Sequence, residues 1–412
     1  MGTYSVNADD RFFNVRHYGV IPDGLTDNRQ SLQLMIDAIN ARGGGTLFFP
    51  PGVYMLGIDP AKQYALHMRA NIHLLGLHRS ICTIRLANGQ PFYRDIISHD
   101  YPDNADNVEI TNLTWDHNRI SNPVTITSLA TNQARTIGLW SGRNIQIKRC
   151  RFTNFESMNN IMLSGEMSNL VVEGNIFDDV NGLLQEDHDY TAVYLKCFST
   201  DWFAEGSGMW VRNNVFRSRA PSGFPLLNSR GQTGVTSAIE THGSNSFVTN
   251  NLIEDFQYGI LATGERTNRT EQVTVKDNHI IRCRNGIQIW SKFAPELGFS
   301  KGPGMMECGV SGNHITVDLD AWNWNMQYGV GILVPPWNNA ATRDLLVTGN
   351  SIRFIDHSLP IQIPKCNAFA AENSQPDQDK NWLVANNVFD NIPGSPIRIE
   401  PTIDNLILDN NI

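Results

Sequence analysis

LVVEGNIF (170–177), MWVRNNVF (209–216), SFVTNNLI (246–253), VTVKDNHI (273–280), CGVSGNHI (308–315), LLVTGNSI (345–352), WLVANNVF (382–389) and LILDNNI (406–412) share one pattern, apolar-x-Val/Leu-x-x-Asn-x-apolar. The aligned asparagines are Asn175, Asn214, Asn251, Asn278, Asn313, Asn350, Asn387 and Asn411, spaced from 24 residues (387 to 411) to 39 (175 to 214). IQIKRCRF (145–152) fits the same frame with Cys150 in the Asn column. Self-similarity at such a period marks a solenoid, because one repeat cannot bury its apolar side alone and must stack on its neighbours.

A second column precedes each of these segments: TIGLWS (136–141), NIMLSG (160–165), TAVYLK (191–196), SAIETH (237–242), YGILAT (258–263), NGIQIW (285–290), YGVGILV (328–334), LPIQIP (359–364) and SPIRIE (395–400). Strand, turn, strand, turn therefore repeats about nine times. The fold class is all-β: a single-stranded parallel β-helix, one domain over 1–412, with coils about 4.8 Å apart. Residues 1–60 form an N-terminal cap and 61–412 about ten coils with long groove-lining loops. Asparagines at the same bend of successive coils ladder inward, each amide satisfying backbone groups and the next amide. They are scaffold.

In the cap, Leu32, Met35, Ile36 and Ile39 recur at helical spacing behind Asp27 and Gln30, which predicts a capped amphipathic helix over 27–41 ended by Gly43-Gly44-Gly45. Such a helix covers the sheet edge that the first coil would expose. Asp116 in LTWDHNR (113–119) fixes a turn, and His117, His279 and His314 lack metal-ligand grouping. Six scattered cysteines with no C-x-x-C pair read as small buried apolar residues, so no metal site is expected.

The 412 residues are 41% hydrophobic and 18% charged with a net charge of -9, a balance that excludes disorder and argues against nucleic acid as a partner. No apolar run approaches 18 residues, so no membrane partner is expected. MGTYSVNADD lacks the basic and apolar segments of a signal peptide.

FNVRHYGVIPDGLTDNRQSLQLMIDAINARGGGTLFFPPGVYML (13–56), followed by LTWDHNR, resembles the opening of the pectate-lyase-like β-helix superfamily, which includes bacteriophage tailspike depolymerases, polygalacturonases, alginate C5-epimerases and lyases. The resemblance implies a right-handed parallel β-helix, a polysaccharide partner, an extracellular or virion-associated location and, from the tailspikes, a homotrimer. It leaves the reaction open. No cofactor is evident, and the sequence leaves calcium open.

Strand alternation turns every second side chain outward. With Ile239 and Thr241 inward, Glu240 and His242 point out, and one register applied to all coils gives two outward rows. One holds Gly138, Met162, Tyr194, Glu240, Leu261, Gln288, Gly331, Gln362 and Arg398. The other holds Trp140, Ser164, Lys196, His242, Thr263, Trp290, Leu333, Pro364 and Glu400. Tyr194, Lys196, Glu240 and His242 are then expected together, able to exchange protons. Insertions after the first-column strands wall a groove and bring Asp201, Glu205 and Glu265 as further acids. They also bring Trp202, Trp337 and Arg266 to hold substrate beside Trp140, Trp290 and Gln288.

Two chemistries fit. Glycoside hydrolysis, the preferred one, pairs Glu240 with Asp201, Glu205 or Glu265. Uronate β-elimination or epimerisation would use Lys196, His242 and Tyr194 as base and acid. Glu240-Thr-His242 resembles the Asp-Pro-His of the alginate epimerase branch with Glu replacing Asp, while the coil aligned by position reads Met162-Leu-Ser164. A non-catalytic glycan-binding phage tail protein is the alternative class.

Overall fold

The computed structural model describes residues 11–90, 94–100, 103–122, 134–156, 158–181, 190–197, 208–218, 236–264, 270–291, 303–319, 328–335, 341–355, 365–372, 380–400 and 403–412. Contacts divide them into two compact units, the first running to Tyr194 and the second from Leu195 on. Each unit is a stack of parallel strands in which every strand pairs with the equivalent strand of the next coil, as a β-helix requires.

Coils carry three strand columns where the sequence pattern suggested two. The repeat read as one strand breaks at its Asn. In SFVTNNLI, Ser246–Thr249 belongs to one sheet and Leu252–Glu254 to the other. The cause is the residue before the ladder Asn: Asn213, Asn250, Asp277, Gly312, Gly349 and Asn386 all adopt positive φ between 54° and 65°. That left-handed conformation turns the chain sharply and is tolerated best by Gly, Asn and Asp.

In the second unit the buried amides link without interruption. Asn214 Nδ2 donates to Asn251 Oδ1 at 3.0 Å, Asn251 to Asn278 at 2.9 Å, Asn278 to Asn313 at 3.0 Å, and the series continues through Asn350 and Asn387 to Asn411. Each interior Oδ1 also accepts the preceding ladder residue's backbone N–H, and each Nδ2 also donates to a backbone carbonyl, as Asn251 does to Val211. A buried amide so saturated costs nothing in lost hydration and fixes the bend.

The first unit ends its buried column differently. Asn175 accepts from Cys150 N at 2.9 Å and donates to Ile147 O at 2.9 Å, with Cys150 in the Asn position as the sequence frame predicts. A second, solvent-exposed row runs through Asn71, Asn107, Asn144 and Asn169, again at positive φ. The helix spans Arg29–Asn40 and buries Leu32, Met35, Ile36 and Ile39. Its capping differs from expectation: Asp27 Oδ1 accepts from Arg29 N and from Gly57 N, so it ties the helix to a strand instead of closing a box with Gln30. Gly44, at φ 103°, ends the helix where a Cβ would overlap Asn71. Asp116 fixes its turn by accepting from Asn118 N, Asn154 and Arg85. All six cysteines are buried and free.

One coil was placed wrongly from sequence. The strand paired with Tyr328–Val334 is Lys365–Ala371, not LPIQIP, which lies outside the described residues with the rest of 356–364. Pro360 and Pro364 remove ladder donors from LPIQIP, whereas KCNAFAA offers every N–H. The same coil shifts the outward row: Gln288 pairs with Leu333, not Gly331, and Leu333 then with Ala370 and Arg398.

Candidate functional site

The second unit brings its candidates to one strand column. In Thr236–His242 every residue but Glu240 is buried, and strand alternation sets Glu240 and His242 on the side opposite Ile239 and Thr241. Their side chains meet, His242 Nε2 standing 2.7 Å from Glu240 Oε1. A carboxylate oxygen and an imidazole nitrogen at that distance are within hydrogen-bonding reach. Both are largely closed off from water, with side-chain exposures of 14% for Glu240 and 4% for His242. Outward on this coil therefore does not mean solvated, and loss of water strengthens every charge interaction there.

Lys196 is half-buried in Tyr190–Cys197, which pairs with Thr236–His242. A Cβ placed on Gly243 would stand 3.5 Å from the Cβ and carbonyl oxygen of Cys197. The residues one step back, His242 and Lys196, therefore stand at the same level of neighbouring strands. Tyr194 is the last residue of the first unit, half-buried and turned to the same side of its strand as Lys196 by alternation with buried Val193, Leu195 and Cys197.

The register then extends both rows. Glu240 lies beside Leu261, Leu261 beside Gln288; His242 lies beside Thr263, Thr263 beside half-buried Trp290. Gln288 Oε1 and Thr263 Oγ1 are buried with no hydrogen-bond partner among the described residues. Unmet buried polar atoms are rare and mark places where another group is received. Thr263 was not singled out from sequence; its place in the row beside His242 was the available signal. Asp201, Trp202, Glu205, Glu265, Arg266 and Trp337 lie outside the described residues.

Trp140 is in the first unit, and its setting was not anticipated. The Arg135 guanidinium stands 5.0 Å from the Trp140 ring centroid in a cation–π contact. Arg135 is itself buried and donates to Asp95 Oδ1 at 2.7 Å, while Arg94 donates to Asp95 Oδ2 at 2.9 Å. Asp95 reaches the outer face because Gly138 has no side chain; a Cβ there would overlap the carboxylate. Nearby histidines are tuned toward neutrality: burial, then His67, pushes His99 down to about 4, and burial pushes His117 down to about 3.

Residues 12–179 match the model of a family described as rhamnogalacturonase A/epimerase, pectate lyase-like. The tailspike protein of E. coli bacteriophage HK620 in complex with pentasaccharide superposes with a TM-score of 0.68 at 16% identity, covering 97% of this chain and 65% of that one. The chain has the fold of a pectate-lyase-like parallel β-helix. Its coils therefore wind right-handed, as the resemblance implied. Curated proteins similar to this β-helix include mannuronan C5-epimerase AlgE6 of Azotobacter vinelandii, 33% identical over 110 residues, and alginate lyase 7 of the same organism, 36% identical over 78. Those segments are 26% and 19% of this β-helix, and it spans only 12% and 9% of the two proteins. Glu240, His242 and Lys196 lie beyond residue 179, so the family match stops short of them and their chemistry rests on their own geometry.

Proposed function

We propose that this β-helix acts on a polysaccharide laid along its outer face, as a glycoside hydrolase with Glu240 as one of the two carboxyl groups at the scissile bond. The observation that carries this is the 2.7 Å contact between Glu240 and His242 on a strand face nearly closed to water. An imidazole there can change its charge as the carboxyl gives up or takes back a proton, which a guanidinium partner cannot do. Trp290, two coils from His242 in the same row, supplies a stacking surface, with Gln288 and Thr263 offering polar atoms to sugar hydroxyls. Within the first unit, Trp140 carries a stacking ring of its own. The second carboxyl is expected from Asp201, Glu205 or Glu265.

A second reading is uronate β-elimination or epimerisation. It is favoured by the same imidazole, which Glu240 would orient as a base, by Lys196 as the cation facing a sugar carboxylate, and by the activities named for the curated relatives. Tyr194 would be its proton donor. Incubation with bacterial and algal glycans separates the two. Reducing ends without near-ultraviolet absorbance support hydrolysis. Reducing ends with the absorbance of an unsaturated uronate support elimination. Neither signal, but an altered ratio of C5 epimers in the recovered polymer, supports epimerisation, and binding with no change at all leaves a glycan-binding protein and removes the enzymatic assignment. Assembly as a homotrimer, in or on a virion or outside the cell, completes the proposal. Sedimentation at monomer mass would overturn the trimer.

A further inference from the structure

His279 and His314 begin equivalent strands, His279–Cys283 and His314–Val317, on consecutive coils of the second unit. They belong to the small-sheet column, not to the column that carries Glu240. Strand pairing sets them directly side by side, with ring centroids 4.8 Å apart and planes tilted by 38°. Both are exposed. They line one side of a depression of about 450 Å³ whose other wall is the bend formed by Asn250, Asp277 and Gly312.

The backbone under this pair cannot drift. Each histidine is preceded by a ladder asparagine, Asn278 or Asn313, whose amides are bonded to each other at 3.0 Å. Each is followed by a core isoleucine, Ile280 or Ile315, exposed by 2% or less. Gly312 and Gly349 occupy consecutive corners at positive φ, and Gly312 lines the depression without a side chain. Asp277 reaches across the first of them: a Cβ on Gly312 would overlap Asp277 Oδ1, while Oδ2 stands 3.6 Å from Lys276 Nζ. Two imidazoles thus stand side by side on one rigid corner, and the Asp277 carboxylate lines the same depression.

We propose that His279 and His314 bind one divalent transition-metal ion between adjacent coils. Imidazole nitrogen coordinates such ions at about 2.0–2.1 Å. Small side-chain rotations bring one nitrogen of each ring to a shared ion, since both rings are free to turn at the surface. Among the described residues no group of three or more His, Cys, Asp or Glu is placed to hold a metal directly. The two histidines therefore supply two ligands and water the rest, with Asp277 accepting from a bound water. Nitrogen ligands select nickel, copper or zinc over magnesium and calcium, which require oxygen. The bound ion clips one coil to the next, so it stabilises the folded chain in proportion to its occupancy.

The test is calorimetric titration of the tag-free full chain, stripped by chelator, with Ni²⁺ and separately with Mg²⁺. One equivalent of Ni²⁺ should bind with a micromolar dissociation constant, and Mg²⁺ at least about a hundredfold more weakly. His279→Asn and His314→Asn should each weaken Ni²⁺ binding about tenfold or more and abolish the rise in unfolding temperature that Ni²⁺ gives the parent chain. Both side chains are exposed, so the variants should keep the parent's circular dichroism. Ser351, beside His314 on the next coil, offers a gain-of-function check: Ser351→His should tighten Ni²⁺ binding. Absence of saturable binding below millimolar Ni²⁺ would overturn the proposal. So would binding unchanged in both histidine variants, or Mg²⁺ binding as tight as Ni²⁺.

Discussion

The outer face of the first unit and that of the second each carry a carboxylate largely closed off from water, and the two are partnered in opposite ways. Asp95 is clamped by the Arg94 and Arg135 guanidiniums, groups that stay charged at any working pH. Glu240 is bonded to an imidazole. A carboxylate held between two guanidiniums serves structure, here to steady Trp140 through Arg135. A carboxylate held by a group that itself titrates can pass a proton. Exposure does not separate the two, since both acids are covered; the partner does.

That contrast can be broken by substitution, beginning with its catalytic half. Glu240→Gln should lower glycan turnover by about 10²- to 10⁴-fold while the unfolding midpoint stays near that of the parent. Full activity in this variant would remove Glu240 from the reaction. Asp95→Ala, in contrast, should act on stability, because it strands the buried Arg135 charge. A loss of about 3–5 kcal/mol in denaturant unfolding of the first unit is expected, and a loss below 1 kcal/mol would mean the clamp is dispensable.

The two asparagine rows sharpen the comparison at smaller scale. Asn278→Ala, in the buried ladder, leaves partners on two neighbouring coils unmet and should cost about 1–3 kcal/mol. Asn144→Ala, in the exposed row of the first unit, should stay within about 0.5 kcal/mol because water replaces the lost partner. Equal effects would show that the exposed row carries structural weight. The gentlest test is pH. His99 and His117 have native pKa values of about 4 and 3 against about 6.5 when unfolded, so between those limits the unfolded chain binds more protons. The stabilisation is complete above about pH 6.5 and declines as pH falls toward 4. Hydrogen exchange in the first unit should accelerate over that window, and a flat profile would contradict the burial of these rings.

Much of this was legible before any coordinates. The Asn column betrays itself because a saturated inward amide and a left-handed residue before it leave a fixed signature at each bend. Period-two alternation likewise put Glu240 and His242 on one face. What escaped has physical causes. A corner made by a single residue keeps the apolar rhythm on both sides, so two strands of different sheets read as one. LPIQIP carries the right alternation yet lacks the N–H groups that pairing needs. The closure of the outer row around Gln288 and Thr263 depends on contacts that no periodicity encodes. Arg135 and Trp140 sit five residues apart, a separation that in a strand suggests no contact, and meet where Gly138 leaves room for the Asp95 carboxylate and the Arg135 guanidinium. His279 and His314, 35 residues apart in sequence, become neighbours only once the register is known.

The amide ladder also explains how a chain of this kind can be rebuilt. Every rung is defined by the rung before it and the rung after it, and by nothing that departs from the corner. A connecting segment between two rungs can be lengthened, shortened or exchanged without shifting the frame on either side. The spine thus works as a keyboard of equal steps onto which new specificity can be grafted one coil at a time, leaving the core's accounting of hydrogen bonds untouched.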